Sequence, residues 1–268
     1  MKIGVFDSGL GGLTVVRELR RLCPAEELIY LGDTARVPYG IRSDSVVRQY
    51  AHECASFLTK MQVEIVVVAC NTVSAVALEQ LKTDFTVPVF GVIEPGAQEA
   101  VRVAGAKPIG VLGTLATIES GAYGRAIAGL GFEQPLQSQA APLLVPLVEE
   151  GWLTGEVPHQ VIRRYLAPLL EKKIGALILG CTHYPLLKEI IESELKQLSV
   201  EPVKVVDSGI ALARTLRNFI QHESGSSKDG AAPGSLSIFV TDMPRKFKNL
   251  AETFLGEKIY NVQEVKLI

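Results

Sequence analysis

The sequence predicts an α/β protein built on parallel sheets, and three observations lead to this class. Short apolar runs rich in β-branched residues recur along the chain, each followed by a segment with helical spacing. These runs are nearly continuous in apolar residues, which is typical of strands that are buried on both faces. The pattern also repeats, because VEIVVVACNT at 63–72 reads almost like IGALILGCTH at 174–183.

The first half of the chain alternates strand and helix four times. Each strand is assigned from a run of large apolar residues, and each helix from apolar residues spaced three and four apart. The predicted strand and helix pairs are residues 2–6 and 13–22, 27–31 and 43–60, 63–69 and 74–81, and 87–92 and 96–104.

The second half continues this rhythm. Its predicted elements are strand 108–112, helix 118–130, strand 133–137, a helix after residue 145, helix 154–171, strand 174–179, helix 185–198, strand 203–206 and a helix from about residue 210. Residues 221–235, QHESGSSKDGAAPGS, hold too little apolar surface to order themselves and are predicted to form a mobile surface loop. A strand at 236–241, a helix at 244–255 and a tail at 258–268 are too short for a domain and are expected to complete the first sheet.

The repeat predicts two similar halves. A weaker echo, between IGVFDSG at 3–9 and IGVLGT at 109–114, has nearly the same offset as the first. We therefore predict two pseudo-symmetric α/β domains, residues 1–92 plus 210–268 and residues 93–209. Each domain places one thiol, Cys70 or Cys181, at the C-terminal end of a strand.

Composition excludes several classes of protein. With 27 Lys and Arg against 29 Asp and Glu, the formal net charge is −2, so the basic footprint of a nucleic-acid binder is missing. No apolar run approaches the roughly 18 residues of a membrane span, and the chain opens into MKIGVFDSG without a signal-like segment. Four cysteines without a CxxC pair or dense spacing indicate thiols in a reducing compartment. We expect a cytoplasmic protein that acts on a small molecule, without nucleic-acid or membrane partners.

Cys70 and Cys181 are the first candidates for chemistry. Open parallel sheets bind ligands beyond the C-terminal ends of their strands, and a helix N-terminus there favours a thiolate. A single thiol of this kind is more often a core residue, since free cysteine is among the most buried residue types. Two thiols in equivalent frames of two halves have no such explanation, and this favours a functional role.

His183 and Asp7 are the next candidates. His183 follows Cys181 by two residues, where an imidazole can polarise a thiol or a substrate group, although it can also be a capping or loop residue. Asp7 closes the first strand, and Ser8 with the glycines after it can turn backbone N–H groups toward a carboxylate or phosphate. Helix capping is the alternative for Asp7, because VVDSG recurs at 205–209 in a simple capping context. The other three histidines, at positions 52, 159 and 222, have no such context and are expected to be surface or packing residues.

The sequence gives less support to three other kinds of site. Gly9, Gly11 and Gly12 imitate a dinucleotide-binding loop, but position 14 is threonine where a third glycine is required. A zinc site from the two cysteines, His183 and Asp7 has acceptable ligand types without the tight ligand spacing. A cysteine hydrolase would leave the second cysteine unexplained.

Two thiols suit racemisation of an amino acid. The reaction removes the α-proton from one face and returns a proton on the other, so two acid/base groups flanking the carbon are the simplest arrangement. The carbanionic intermediate needs its carboxylate held by hydrogen-bond donors. Small polar residues at the strand ends can supply them, with loop capping as the alternative role: Ser8, Asn71, Thr72 and Thr182.

Seven segments resemble bacterial glutamate racemases, in order and with consistent spacing over nearly the whole chain. They are FDSGLGGLTV, YLGDTARVPYG, ACNTVSA, GVIEPG, LGTLATIESGAY, PLVEEG and LGCTHYPLL. The resemblance implies an enzyme without a cofactor that interconverts L- and D-glutamate, the latter for peptidoglycan synthesis. It also implies two α/β domains of pseudo-twofold relation with the active site in the cleft between them.

The resemblance also implies roles for individual residues. Cys70 matches the base that acts on D-glutamate and Cys181 the base that acts on L-glutamate, with Asp7 and His183 assisting. The matching substrate-binding pairs are Asp7 and Ser8, Tyr39 and Gly40, Asn71 and Thr72, and Thr182 and His183. Residues that join them in reaching the ligand carboxylates are Thr114 and Thr117. One acid of PLVEEG has a family role, and Glu149 and Glu150 are equal candidates. Asp33 matches a further family acid, for which we expect a structural role.

Several questions stay open at this stage. Because the chain starts at the first strand, without the N-terminal extension of precursor-activated relatives, we expect no activation by a peptidoglycan precursor. An aspartate racemase is the nearest rival enzyme, and a two-lobed amino-acid-binding module without chemistry is the rival from another class. The binding module would leave the paired cysteines unexplained. A homodimer paired through helix surfaces such as residues 43–60 is compatible with the sequence.

Overall fold

A computed structural model describes residues 1–224, 232–243 and 247–267. Its strands are β1 (Lys2–Asp7), β2 (Glu27–Gly32), β3 (Ile65–Val68), β4 (Val89–Gly91), β5 (Ile109–Gly113), β6 (Leu136–Ala140), β7 (Ala176–Gly180), β8 (Lys204–Asp207), β9 (Leu236–Val240) and β10 (Val262–Glu264). Its α-helices are α1 (Leu13–Leu22), α2 (Asp44–Lys60), α3 (Asn71–Val76), α4 (Leu78–Asp84), α5 (Ile93–Ala104), α6 (Leu115–Glu119), α7 (Ala122–Gly129), α8 (Leu144–Glu149), α9 (Glu156–Leu170), α10 (Lys188–Leu198), α11 (Ser208–Ser224) and α12 (Phe247–Leu255). Two 3₁₀ turns cover Tyr39–Ile41 and Tyr184–Leu187.

The chain divides into two compact units, each with its own parallel sheet. The first unit comprises Met1–Val92 with Gly209–Ile268, and the second comprises Ile93–Ser208. The prediction of an α/β fold with two parallel-sheet domains is confirmed by these sheets. Across the described ranges, no helix is both long enough and apolar enough to span a bilayer.

The first unit has the strand order β10-β9-β2-β1-β3-β4. Its central strands β1 and β3 are almost entirely buried, which explains why both read as continuous apolar runs. Helix α2 covers one face with residues spaced at helical intervals, among them Val47, Ala51 and Leu58. Strand β9 pairs with β2 and β10 with β9, so the C-terminal segment completes this sheet as predicted.

The second unit has the strand order β6-β5-β7-β8. Strands β5 and β7 are fully buried at its centre, and α5 packs against β7. Helices α9 and α10 pack against each other and are linked by Glu194, which is fully buried on α10. Its carboxylate accepts hydrogen bonds from Arg163 Nε at 2.8 Å and pairs with His159 Nδ1 at 2.7 Å.

Several predicted elements differ from the structure for local reasons. The predicted helix at 118–130 is two helices, α6 and α7, separated at Gly121 with φ of +65°, a conformation that glycine tolerates at little cost. The predicted helix at 74–81 is likewise α3 and α4, which meet at Ala77. The strand predicted at 133–137 is β6, shifted because Leu136 pairs with Ile109 at the start of β5.

The predicted loop at 221–235 is shorter than expected. Helix α11 continues to Ser224, and Gly234 N–H donates to the carbonyl of Pro24 at 2.8 Å. The remaining loop residues 225–231 lie outside the described residues, as do 244–246 at the start of the helix predicted at 244–255, and residue 268 of the tail. The helix predicted at 185–198 begins as the 3₁₀ turn Tyr184–Leu187, with Pro185 as its second residue, and continues as α10.

Candidate active site

The C-terminal ends of β1 and β3 bring the first group of predicted site residues together. The two strands are parallel neighbours with Phe6 opposite Val68, so the residues that follow them emerge at the same edge of the sheet. Cys70 follows β3 and Ser8 follows β1, and Cys70 Sγ lies 3.6 Å from Ser8 Oγ. Cys70 is buried, with 6% of the residue exposed.

Asp7 lies at the same edge and is fully buried. Its Oδ2 accepts a hydrogen bond from the N–H of Gly9 at 3.1 Å. Helix α1 follows in the chain, with Gly12 as its N-cap residue. A Cβ at position 12 would lie 2.5 Å from Asp7 Cβ, and only glycine permits this close approach.

The phenol of Tyr30 lies beside both Asp7 and Cys70. Tyr30 OH donates a hydrogen bond to the carbonyl of Gly9 at 2.7 Å. Burial, together with the negative charges of Asp7 and Cys70, raises the pKa of Tyr30 well above its ordinary value. The sequence analysis did not single out this residue, because a tyrosine within an apolar strand is typical of a core position.

The 3₁₀ turn with Tyr39 and Gly40 packs against α3, whose first residues are Asn71 and Thr72. All three side chains, of Tyr39, Asn71 and Thr72, are buried. The structure therefore gathers the predicted binding residues of the first unit around Cys70.

Cys181 follows β7 in the second unit and leads into the 3₁₀ turn Tyr184–Leu187. Its Sγ lies 3.9 Å from His183 Nδ1, and His183 Nε2 lies 3.2 Å from Glu149 Oε1. Thiol, imidazole and carboxylate thus form a continuous chain. Glu149, one of the two candidate acids of PLVEEG, contacts His183.

The environment of His183 strongly favours its charged form. Burial lowers the pKa of His183, but the hydrogen bonds and negative charges of Cys181 and Glu149 outweigh this and raise it to about 10. A cationic imidazole beside a thiol stabilises the thiolate. The Cys181 sulfur therefore lies beside a histidine that is charged at neutral pH.

Two buried tyrosines lie near the Cys181 thiol, and the sequence analysis identified neither of them. Tyr184 OH donates to the carbonyl of Ala141 at 2.9 Å and so ties the 3₁₀ turn to the segment before α8. Tyr123 hydrogen-bonds Ser208, and its pKa is raised by burial and by the charges of Asp207 and Cys181.

Thr114 directly follows β5, which is the neighbour of β7, and Thr117 lies in the first turn of α6. Thr114 Oγ1 accepts from the N–H of Thr117 at 3.3 Å, so Thr114 caps α6. The two hydroxyls are 2.9 Å apart, and Thr117 is buried. Thr182 directly follows Cys181 and is buried as well.

Other predictions can be compared with the same structure. All four cysteines are thiols, as predicted. In the part of the chain that is described, no group of three or more His, Cys, Asp or Glu side chains is arranged for a metal ion. His52 packs on Phe85, His159 binds Glu194, and His222 is exposed, which agrees with surface and packing roles.

Comparison with known proteins shows which family this chain resembles. The profile of the Asp/Glu/Hydantoin racemase family matches residues 3–216. Glutamate racemase from Aquifex aeolicus (strain VF5) is 49% identical over 259 residues, which cover 97% of this chain and 96% of that protein. The crystal structure of glutamate racemase from Francisella tularensis in complex with D-glutamate matches with a TM-score of 0.90 at 35% identity, over 99% of this chain and 97% of that one. The Thermus thermophilus glutamate racemase structure matches with a TM-score of 0.87 at 44% identity, over 99% and 97% of the chains.

Proposed function

The chain belongs to the Asp/Glu/Hydantoin racemase family and is an amino-acid racemase, and from this premise we propose that it interconverts L- and D-glutamate with Cys70 and Cys181 as the two bases. The observation that carries the proposal is the paired placement of the thiols. Each follows a buried parallel strand in its own unit, and each has polar side chains next to it. The reaction requires that both thiols reach the α-carbon of one substrate molecule, from opposite faces.

The proposed reaction exchanges the protonation states of the two cysteines. With D-glutamate, the Cys70 thiolate takes the α-proton and becomes a thiol, while the C–H electron pair remains on the α-carbon and spreads into the carboxylate. The Cys181 thiol then gives its proton to the opposite face and becomes a thiolate. The L-enantiomer reacts by the same steps in reverse, so no redox step and no cofactor are required.

The neighbours of each thiol have assisting roles in this proposal. In the second unit, charged His183 stabilises the Cys181 thiolate, and Glu149 holds the imidazole in orientation at 3.2 Å. In the first unit, Ser8 contacts the Cys70 sulfur, and Asp7 lies near the same tyrosine as that sulfur. We assign Glu149, rather than Glu150, to the family's acidic role because of its contact with His183.

The substrate carboxylates would be held by backbone N–H groups and small hydroxyls at the strand ends. We assign this function to Ser8, Tyr39, Gly40, Asn71, Thr72, Thr114, Thr117 and Thr182. Donors directed at the α-carboxylate stabilise the charge that develops in the carbanionic intermediate, whereas donors at the distal carboxylate select the acidic substrate.

Glutamate as substrate is supported by the relatives. The Aquifex aeolicus protein is named a glutamate racemase, and the Francisella tularensis structure is a complex with D-glutamate. We further propose that the D-glutamate formed serves peptidoglycan synthesis. Four cysteines in the thiol state fit a reducing compartment, such as the cytoplasm, which the mechanism itself requires.

The test is proton NMR of L- and D-glutamate, incubated separately with the pure, reduced protein in deuterium oxide without pyridoxal phosphate. We expect the α-proton signal to disappear as the opposite enantiomer forms. The Cys70→Ala and Cys181→Ala variants should each lose racemisation, whereas Cys23→Ala, which removes a buried thiol at the end of α1, should retain it.

Three other outcomes would contradict the proposal in different ways. Turnover of aspartate but not glutamate would identify an aspartate racemase. Binding of an amino acid without any exchange would favour the binding module. Racemisation that survives in either cysteine variant would exclude the two-thiol mechanism.

A further inference from the structure

The carboxylate of Asp33 is fully buried and receives three side-chain hydrogen bonds. Thr241 Oγ1 donates to Oδ1 at 2.8 Å, and Arg36 Nε donates to Oδ2 at 2.6 Å. The third donor is the hydroxyl of Tyr39, which also binds Oδ2. A carboxylate so enclosed has no open face toward a substrate, so Asp33 is not a catalytic residue.

Asp33 connects two parts of the candidate active site. Its N–H donates to the carbonyl of Asp7 at 3.1 Å, which ties it to the end of β1. Its side chain holds Tyr39, the first residue of the 3₁₀ turn that includes Gly40. Burial and the neighbouring negative charges raise the pKa of Tyr39, so the phenol remains a donor to this carboxylate.

Thr241, in the C-terminal part of the chain, forms hydrogen bonds with the segment around Asp33. Its N–H donates to the carbonyl of Gly32 at 3.1 Å, and its hydroxyl oxygen accepts from the N–H of Ala35 at 2.9 Å. Thr241 therefore contacts the backbone on both sides of Asp33 as well as its carboxylate. It lies outside residues 3–216, which the family profile matches.

Arg36 supplies the positive charge that a buried carboxylate needs. Its guanidinium also binds Glu53 and stacks over the ring of Tyr50, with Cζ 3.9 Å from the ring centre. Tyr50 in turn packs on Tyr39 with ring centres 5.4 Å apart. Tyr39 is thus held through its hydroxyl by Asp33 and through its ring by Tyr50.

We propose that Asp33 and Thr241 are positioning residues that hold the Tyr39–Gly40 turn in the conformation that binds the substrate carboxylate. This inference rests on the proposed function, in which that turn contacts glutamate. In this inference the turn contacts the distal carboxylate of the substrate, whose charge is the same in the ground state and in the transition state. A displaced turn therefore weakens binding uniformly, which raises KM and leaves kcat little changed.

The experiment compares Thr241→Val with Thr241→Ser. Valine keeps the shape of threonine but removes the donor to Asp33 and the acceptor for Ala35, whereas serine keeps both. We expect Thr241→Val to raise KM for each enantiomer about tenfold, the cost of one hydrogen bond to a charged group. Thr241→Ser should restore the KM of the parent protein, and Tyr39→Phe should reproduce the effect of valine.

Glu194→Gln is the matched control for loss of a buried, arginine-bound carboxylate. Glu194 is as buried as Asp33 and is also bound by an arginine, but it links α9 and α10 and contacts none of the predicted substrate residues. Its variant should unfold at lower urea concentration with KM unchanged. Asp33→Asn should lower the urea midpoint and raise KM together.

The outcomes separate this inference from the proposed function. If the parent protein does not racemise glutamate, the proposed function is wrong. If the parent is active but folded Thr241→Val and Tyr39→Phe keep its KM, the positioning role is wrong while the proposed function stands. A fall in kcat with unchanged KM would likewise overturn the positioning role.

Discussion

Glu149 Oε1 lies 3.2 Å from Nε2 of His183, and the other ring nitrogen of that histidine lies 3.9 Å from the sulfur of Cys181. The carboxylate is partly exposed, at 42%, while the imidazole is buried. Glu149 therefore brings negative charge from the surface to a buried cation.

The first prediction concerns Glu149→Gln and the alkaline side of the pH profile. Glu149 is one of the groups that raise the pKa of His183 to about 10, so its neutralisation should lower that pKa. His183 would then lose its proton at lower pH, and the alkaline fall in kcat/KM should move in the same direction. At pH 9 we expect about a tenfold loss of kcat/KM.

Glu150→Gln provides the comparison, because it removes the same charge one residue along the chain. Its profile should stay close to that of the parent protein. Steady-state rates between pH 6 and 10 will distinguish the variants, and a larger shift for Glu150→Gln would assign the acidic role to that residue instead.

The second prediction concerns the two cysteine variants measured in both directions. Enantiomers have equal free energies, so kcat/KM must fall by the same factor for L- and D-glutamate whichever thiol is removed. We expect a loss of at least about a hundredfold, because each thiol is a direct proton-transfer group.

The two cysteine variants should differ in which enantiomer exchanges its α-proton with the solvent. Cys181→Ala retains Cys70, so it should slowly exchange the α-proton of D-glutamate for deuterium without inversion and leave L-glutamate unchanged. Cys70→Ala should show the opposite preference. Exchange of the same enantiomer by both variants would contradict the assignment of the faces.

The third prediction concerns Gly12, where a Cβ would lie 2.5 Å from Asp7 Cβ and 3.0 Å from the Tyr30 ring. Gly12→Ala must displace Asp7 or α1, and we expect it to lower the free energy of unfolding by about 1–3 kcal/mol. Activity should fall as well, since Asp7 lies beside the Cys70 site.

Gly129→Ala is the matched control. A Cβ at this position, in α7, meets no atom within 4 Å. The variant should be neutral or more stable by up to about 1 kcal/mol, because alanine has the higher helix propensity. Urea unfolding followed by circular dichroism measures both variants. Equal stability of Gly12→Ala and the parent protein would show that the close approach at Asp7 is not required.

The sequence predicted the parts of the fold that local patterns determine. Strands β1, β3, β5 and β7 are buried on both faces, so their apolar runs identify them directly. The cysteine at the end of β3 and its counterpart after β7 followed from the repeat. Strand β6, with the sequence LQSQA and half-buried side chains, lacks that signal, and its position was predicted three residues too early.

Long-range contacts and helix phase could not be predicted. Thr241 and Asp33 are 208 residues apart in the chain, and no local pattern pairs them. Glu149 is the last residue of α8 and Glu150 follows it, so the two adjacent side chains project in different directions. Which of them contacts His183 depends on how α8 packs against the 3₁₀ turn after Cys181, which requires the tertiary structure.

The last prediction concerns acid stability and Glu194. Hydrogen bonds from Arg163 and His159 lower the pKa of Glu194 below its ordinary value. Its contribution to stability is therefore complete above the unfolded-state pKa of about 4.3 and is lost as the pH falls through the lowered folded-state pKa. The difference in free energy of unfolding between the parent protein and Glu194→Gln should be largest at neutral pH and shrink below about pH 4.3. Urea titrations at pH 7, 5 and 3.5 will measure it, and a difference that stays constant over this range would mean that the ionised carboxylate does not hold α9 to α10.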